Sequence, residues 1–178
     1  MTGRFVIQMF IWIKEKYIKL VRKPYFALRV RLVAKKVGKD LRTPNLAKVT
    51  PNTVLGNHVG FNGMTIQGEG PVRIGDYFHS GTDCLIISSN HNYDSGETLP
   101  YDNSNIFKPV LIEDCVWFGS RVTVIGKVRI GEGAIIQAGS VVIKDVPKLA
   151  IVGGNPAKVF KYRDKKHYKK LKKAKKFA

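Results

Sequence analysis

The sequence is poor in acid, poor in cysteine and without a long apolar run. Thirteen Asp and Glu stand against 31 Lys and Arg, a net charge of +18. That imbalance favours anionic partners: a membrane surface, nucleic acid or a phosphorylated ligand. Two cysteines, Cys84 and Cys115, give neither a disulfide framework nor a metal-ligand spacing. The longest near-apolar stretch, Phe5 to Ile13, is nine residues interrupted by Gln8, and a helical bilayer span needs about 20. The start has no basic n-region, clean apolar segment and small-residue cleavage site in series, so a cytoplasmic location is expected.

What the chain does have is charge at both ends and a rhythm between them. Residues 1–48 hold 13 basic and 2 acidic side chains, residues 158–178 hold 11 and 1, and residues 49–157 hold 7 and 10. The rhythm is six residues long. From Ile112 the chain reads IEDCVW, FGSRVT, VIGKVR, IGEGAI, IQAGSV, VIKDVP. Each block opens on Ile, Phe or Val and carries Val, Ala or Ser four places on. A short fixed repeat signals a solenoid whose turns bury their faces against their neighbours. Three hexads make one coil of 18 residues. Glycines such as Gly119, Gly131 and Gly139 suit its corners. Weaker hexads begin at Val49 and continue through Leu55 and Phe61, then resume at Ile74, Ser80 and Ile86. The beat lapses over about 92–109, and a polar interruption in a tight repeat reads as a loop leaving the stack.

The ends fall outside the beat. Val6, Phe10, Ile13, Tyr17 and Leu20 share one face of a helix over 5–23, with Lys14, Lys19, Arg22 and Lys23 toward the other. Pro24 is expected to stop or kink it, with a second helical segment over 25–36. Such a helix suits a membrane interface, and equally the packing of an apolar face on the solenoid or on another subunit. The organisation expected is therefore a basic amphipathic helical segment at 1–48, a repeat domain at 49–160 and a Lys-rich, helical C-terminal tail at 161–178.

Three stretches carry a family resemblance. They are Val116-Trp117-Phe118-Gly119, Ala138-Gly139-Ser140-Val141-Val142 and Gly154-Asn155-Pro156-Ala157-Lys158-Val159. In this order after a hexad run, they resemble the hexapeptide-repeat acyltransferases, and among them the xenobiotic and surface-polysaccharide O-acetyltransferases. The resemblance implies an all-β solenoid, a left-handed parallel β-helix, against the usual right-handed crossover. It implies a homotrimer with shared active sites, acetyl-CoA as co-substrate, and a saccharide acceptor in a bacterial surface polysaccharide or its lipid-linked precursor. An amino sugar or an antibiotic is the alternative acceptor, and a catalytically silent scaffold the alternative class.

The resemblance also implies roles. His91, where the hexads stop, matches the catalytic histidine that precedes the extruded loop. Neutral imidazole takes a hydroxyl proton near pH 7. Asp94 and Glu97 are candidates to orient it or to bind the acceptor, as is His79 to line the acceptor site. Tyr93 and Tyr101 are candidates to stack on a sugar. Trp117, Gly119, Ala138 and Gly139 are expected along the pantetheine arm, with a backbone N–H there facing the thioester oxyanion. Lys144, Lys158 and Arg163 are candidates for the CoA phosphates. A γ-type carbonic anhydrase uses this fold with zinc on three histidines. Here His58, His79 and His91 lie 21 and 12 apart with no close pair, so no metal is expected. No nucleic-acid reading motif is present. The basic ends point instead to peripheral contact with the anionic inner face of the cell membrane.

Overall fold

The computed structural model describes residues 2–177, with side chains from Ile7 onward. Its centre is a parallel β-solenoid of about six turns, consistent with the left-handed β-helix. Face A stacks β1 (Lys36–Val37), β3 (Thr53–Leu55), β6 (Val72–Ile74), β11 (Val110–Ile112) and β14 (Val128–Ile130). Face B stacks β4 (Gly60–Phe61), β7 (His79–Ser80), β12 (Trp117–Phe118), β15 (Ile135–Ile136) and β17 (Ala150–Gly153). Face C stacks β2 (Ala47–Lys48), β5 (Met64–Gln67), β8 (Cys84–Ile87), β13 (Thr123–Ile125) and β16 (Val141–Val142). The chain runs A to B to C in every coil.

The hexad positions explain the core. Ile112, Phe118, Val124, Ile130, Ile136 and Val142 all point inward and are buried. So are Val116, Val122, Val128, Ala134, Ser140 and Val146, four places after each. Equivalent residues pair in register, as in Leu55 with Ile74 and Ile112 with Ile130. At the wide end of the core Phe78 meets Phe61 and Phe118 edge-on, with centroids 6.0 and 5.0 Å apart. The glycines divide by task. Gly139 adopts φ +72°. Gly119 and Gly131 instead allow close stacking: a Cβ on either would lie 2.5 Å from a backbone nitrogen of the next coil.

Three boundaries differ from those expected. The solenoid begins at β1 and β2, inside the 1–48 segment, because a two-residue strand needs only one inward side chain and leaves little pattern. The helix does not stop at Pro24. It runs from α1 (Thr2–Tyr17) through a π-helical turn (Ile18–Arg22) into α2 (Lys23–Val33). The Lys23 N–H bonds to Ile18 O, five residues back. The wider turn relieves the clash between a proline ring and the preceding carbonyls. At the other end, β18 (Lys158–Tyr162) folds back antiparallel on β17 before α3 (Lys165–Lys173). The interruption of the beat becomes an antiparallel hairpin of β9 (Ser89–His91) and β10 (Asn105–Phe107) leaving the corner between faces C and A.

α3 is anchored to the fifth coil. Asp164 caps it by accepting from the His167 N–H at 2.6 Å. Tyr168 is buried and donates its hydroxyl to Glu132 at 2.9 Å. Glu132 also receives Lys148 and Lys172. Burial opposes its ionisation, but hydrogen bonds from Lys148, Lys172 and Tyr168 outweigh that and hold its carboxyl at about 2.

Candidate active site

His91 ends β9 with its imidazole exposed at the root of the hairpin. Its ring stacks on Tyr101, centroids 4.0 Å apart and planes 6° from parallel. Tyr101 is held by the loop. The Thr98 hydroxyl donates to the Tyr101 carbonyl at 3.0 Å, and Asp102 accepts from the Ser104 N–H and hydroxyl and the Glu97 N–H. Those donors, the Ser104 hydroxyl foremost, hold the Asp102 carboxyl below the usual carboxylate range. On the other strand Asn92 Oδ1 accepts from the Ser95 N–H and hydroxyl.

The loop therefore supports the histidine by a route other than the one expected. Neither Asp94 nor Glu97 makes a hydrogen bond to the imidazole among the described residues; both carboxylates are exposed. Tyr101 packs on His91, which leaves Tyr93 as the loop aromatic free for a ligand. Asp102 was missed. Its signal is the Asp-Asn-Ser triplet at 102–104, the pattern of an Asx turn.

A second group forms at the corner between faces B and C. Gly119 lies one coil above Ala138, close enough that the Gly119 N–H bonds to Ile136 O at 2.8 Å. The Gly139 N–H is likewise committed to Ser120 O at 2.9 Å. The Ala138 N–H has no partner among the described residues, and the residue is exposed. No heavy atom lies within 4 Å of the Cβ position at Gly139. A thin ligand arm can thus reach this backbone without meeting a side chain. Gly154 continues the column, accepting the Val141 N–H at 3.0 Å. Trp117 is 54% exposed on face B, beside His79 and Ile135 in register.

The remaining candidates scatter. Lys158 pairs with Gly153 in the β17–β18 hairpin and stays near the column. Lys144 lies beyond β16, toward the far side of face C. Arg163 is tied down at the A–B corner, donating to Gly133 O at 3.3 Å with its guanidinium 5.0 Å above the Tyr168 ring. His79 lines a cavity of about 590 Å³ beneath α3, with Trp117, Cys115, Leu171 and Phe177, and His91 is not part of that lining. His58 stacks on Tyr77 at 4.7 Å and pairs with Asp40 at 3.2 Å. No three His, Cys, Asp or Glu among the described residues are grouped to hold a metal ion.

Topology sets His91 and Ala138 apart. His91 follows β8 of face C, whereas Ala138 precedes β16 of the same face two coils further on, so the width of face C and two coil steps separate them. Neither group alone makes a transfer site.

Residues 109–144 match the family described as bacterial transferase hexapeptide (six repeats). A tetrahydropyridine-dicarboxylate N-acetyltransferase of Staphylococcus aureus is 51% identical over 53 residues, 30% of this chain. The chain spans about a fifth of that relative, 22% of its length. A hexapeptide-repeat acetyltransferase of Vibrio cholerae, crystallised with acetyl coenzyme A, superposes with a TM-score of 0.70 at 26% identity, covering 83% of this chain and 82% of its own. A maltose O-acetyltransferase of Clostridium difficile gives 0.57 at 26% identity, covering 73% and 67%.

Proposed function

From a chain built on the bacterial transferase hexapeptide repeat, we propose an acetyl-CoA-dependent O-acetyltransferase that modifies a sugar hydroxyl of a bacterial surface polysaccharide or its lipid-linked precursor. The observation that carries this reading is the exposed His91 at the hairpin root, with an open backbone column at the neighbouring corner of the following coils. The hydroxyl gives its proton to the imidazole as its oxygen attacks the thioester carbon. The Ala138 N–H faces the oxyanion. Collapse breaks the C–S bond, and the imidazolium returns the proton to the departing CoA thiolate, leaving the acetyl ester. Trp117, Gly119, Ala138 and Gly139 bind the pantetheine arm. Lys158 is the best placed of the three cations for a CoA phosphate. Tyr93 and the loop meet the sugar.

The separation of His91 from Ala138 supports a homotrimer in which one chain supplies the histidine and its neighbour the column. The likeness to the Vibrio cholerae acetyltransferase crystallised with acetyl coenzyme A supports the co-substrate. An amine acceptor is the second reading, favoured by the staphylococcal N-acetyltransferase. Its pH–rate profile would follow the ionisation of the amine.

His91→Ala is expected to lower kcat at least a hundredfold while the trimer and calorimetric CoA binding persist. Undiminished turnover sinks the mechanism. Surface glycans from cells lacking the gene should lose acetyl groups by mass spectrometry.

A further inference from the structure

The long N-terminal helix presents two different sides. Ile18, Arg22, Phe26 and Val30 face the solenoid at four-residue steps, and only Val30 reaches its core. Arg22 donates to Asn45 at 2.9 Å and Arg31 to the Gly38 carbonyl at 3.2 Å, fastening this side down. The opposite side carries Ile13, Tyr17, Val21, Tyr25, Leu28 and Leu32, all exposed, with Leu32 at 75%. Val6, which the sequence places on the apolar face, lies outside the described side chains.

An α-helix advances 100° per residue, so apolar residues at four-residue steps drift round it. From Ile13 to Tyr25 that drift would carry the stripe well round the cylinder. The π turn at Ile18–Arg22 removes it. Each i→i+5 step advances roughly 20° less, and five of them take back roughly a quarter turn. Ile13 and Tyr17 therefore stay in line with Val21, Tyr25, Leu28 and Leu32. The irregularity that accommodates Pro24 also keeps one apolar stripe straight.

Cations border that stripe. Over residues 7–33 there are seven Lys and Arg and one acid, Glu15, a difference of +6. Helical spacing puts Lys14 and Arg29 on one flank and Lys16 on the other. Lys16 lies 5.3 Å over Trp12 and Arg29 5.9 Å over Tyr25, so ring and charge occupy the same level. No helix of the described residues is long and apolar enough to cross a membrane.

We propose that this stripe docks flat on an anionic lipid bilayer, with Ile13, Val21, Leu28 and Leu32 sunk at the acyl boundary and the flanking cations at the headgroups. A second copy of the chain would present the same cationic borders, on a segment of net +6, and repel it; an anionic surface satisfies both the apolar row and its borders. The inference deepens the membrane-facing part of the proposed function but does not depend on the chemistry at His91.

The test is co-sedimentation of the full chain with vesicles of phosphatidylcholine alone or with phosphatidylglycerol added, alongside light scattering and CoA calorimetry. The wild type should bind the anionic vesicles at least tenfold more tightly than the neutral ones. V21S/L28S should lose that binding, at least tenfold, with oligomer size and CoA binding unchanged. K14E/K16E should lose the preference for anionic lipid. Two results overturn the proposal: no vesicle binding by the wild type, or stripe variants that lower the oligomer's mass, which would make the stripe a subunit contact. Loss of CoA binding in the wild type would count against the proposed activity and leave the docking result standing.

Discussion

Glu132 holds the C-terminal helix to the coils, and neutralising it should release that helix. The substitution is Glu132→Gln, which keeps the shape and the capacity to accept from Tyr168 but removes the charge facing Lys148 and Lys172. Its carboxyl sits at about 2 against an ordinary 4.5. At 1.36 kcal/mol per unit this sets a ceiling of roughly 3 kcal/mol. The carboxylate is only 14% exposed, but Lys148 and Lys172 are 58% and 45% exposed. Water and salt screen their side of the pairs, so about 1–2 kcal/mol is the reasonable expectation. The folded value is depressed, so the contribution is complete above pH 4.5 and fades as pH falls toward 2. Urea unfolding at pH 7 should show the loss in the variant, and the gap between wild type and variant should close as pH is lowered through that window. Because the loss concerns α3, trypsin should cut the Lys165–Lys173 segment faster in the variant before the coils are touched. Equal stability and equal tryptic protection of α3 would refute the account.

Tyr101→Leu removes the ring stacked on His91 without touching the core. It should lower kcat about tenfold, through loss of positioning, with the thermal midpoint changed by no more than a degree or two. Gly119→Val should destabilise the coils by about 2–4 kcal/mol in denaturant, since its Cβ would fall 2.5 Å from the Ala138 nitrogen. An unchanged midpoint would mean that the coils can separate there at no cost.

Much of the solenoid was legible because a repeated environment writes a repeated residue. Ile112 and Phe118 announce themselves since each needs a side chain of one size above and below it. The coil starting at Lys36 was not legible. Its strands are two residues long, and Lys36 and Lys48 occupy outward positions that any residue tolerates. β18 was hidden for the opposite reason, as all five of its residues are exposed. For the site, His91 was marked by the break in the beat and Gly119, Ala138 and Gly139 by their small size at a corner. Asp102 was not, and Tyr101 was marked for a sugar and not for its packing on His91, because both effects depend on how a loop closes on itself. Arg163 looked like a surface cation; its engagement with Gly133 spans thirty residues and leaves no local trace.

The reversed strand β18 has one more implication. A parallel solenoid is a template that invites its own continuation: its last coil displays unpaired amides and carbonyls shaped for another chain running the same way. By turning back on β17, β18 covers that growing tip with a strand of opposite polarity that carries Lys158 and Lys161. An incoming coil would meet the wrong direction and like charge. The final five-residue strand thus closes the face-B edge of the stack against a further parallel strand.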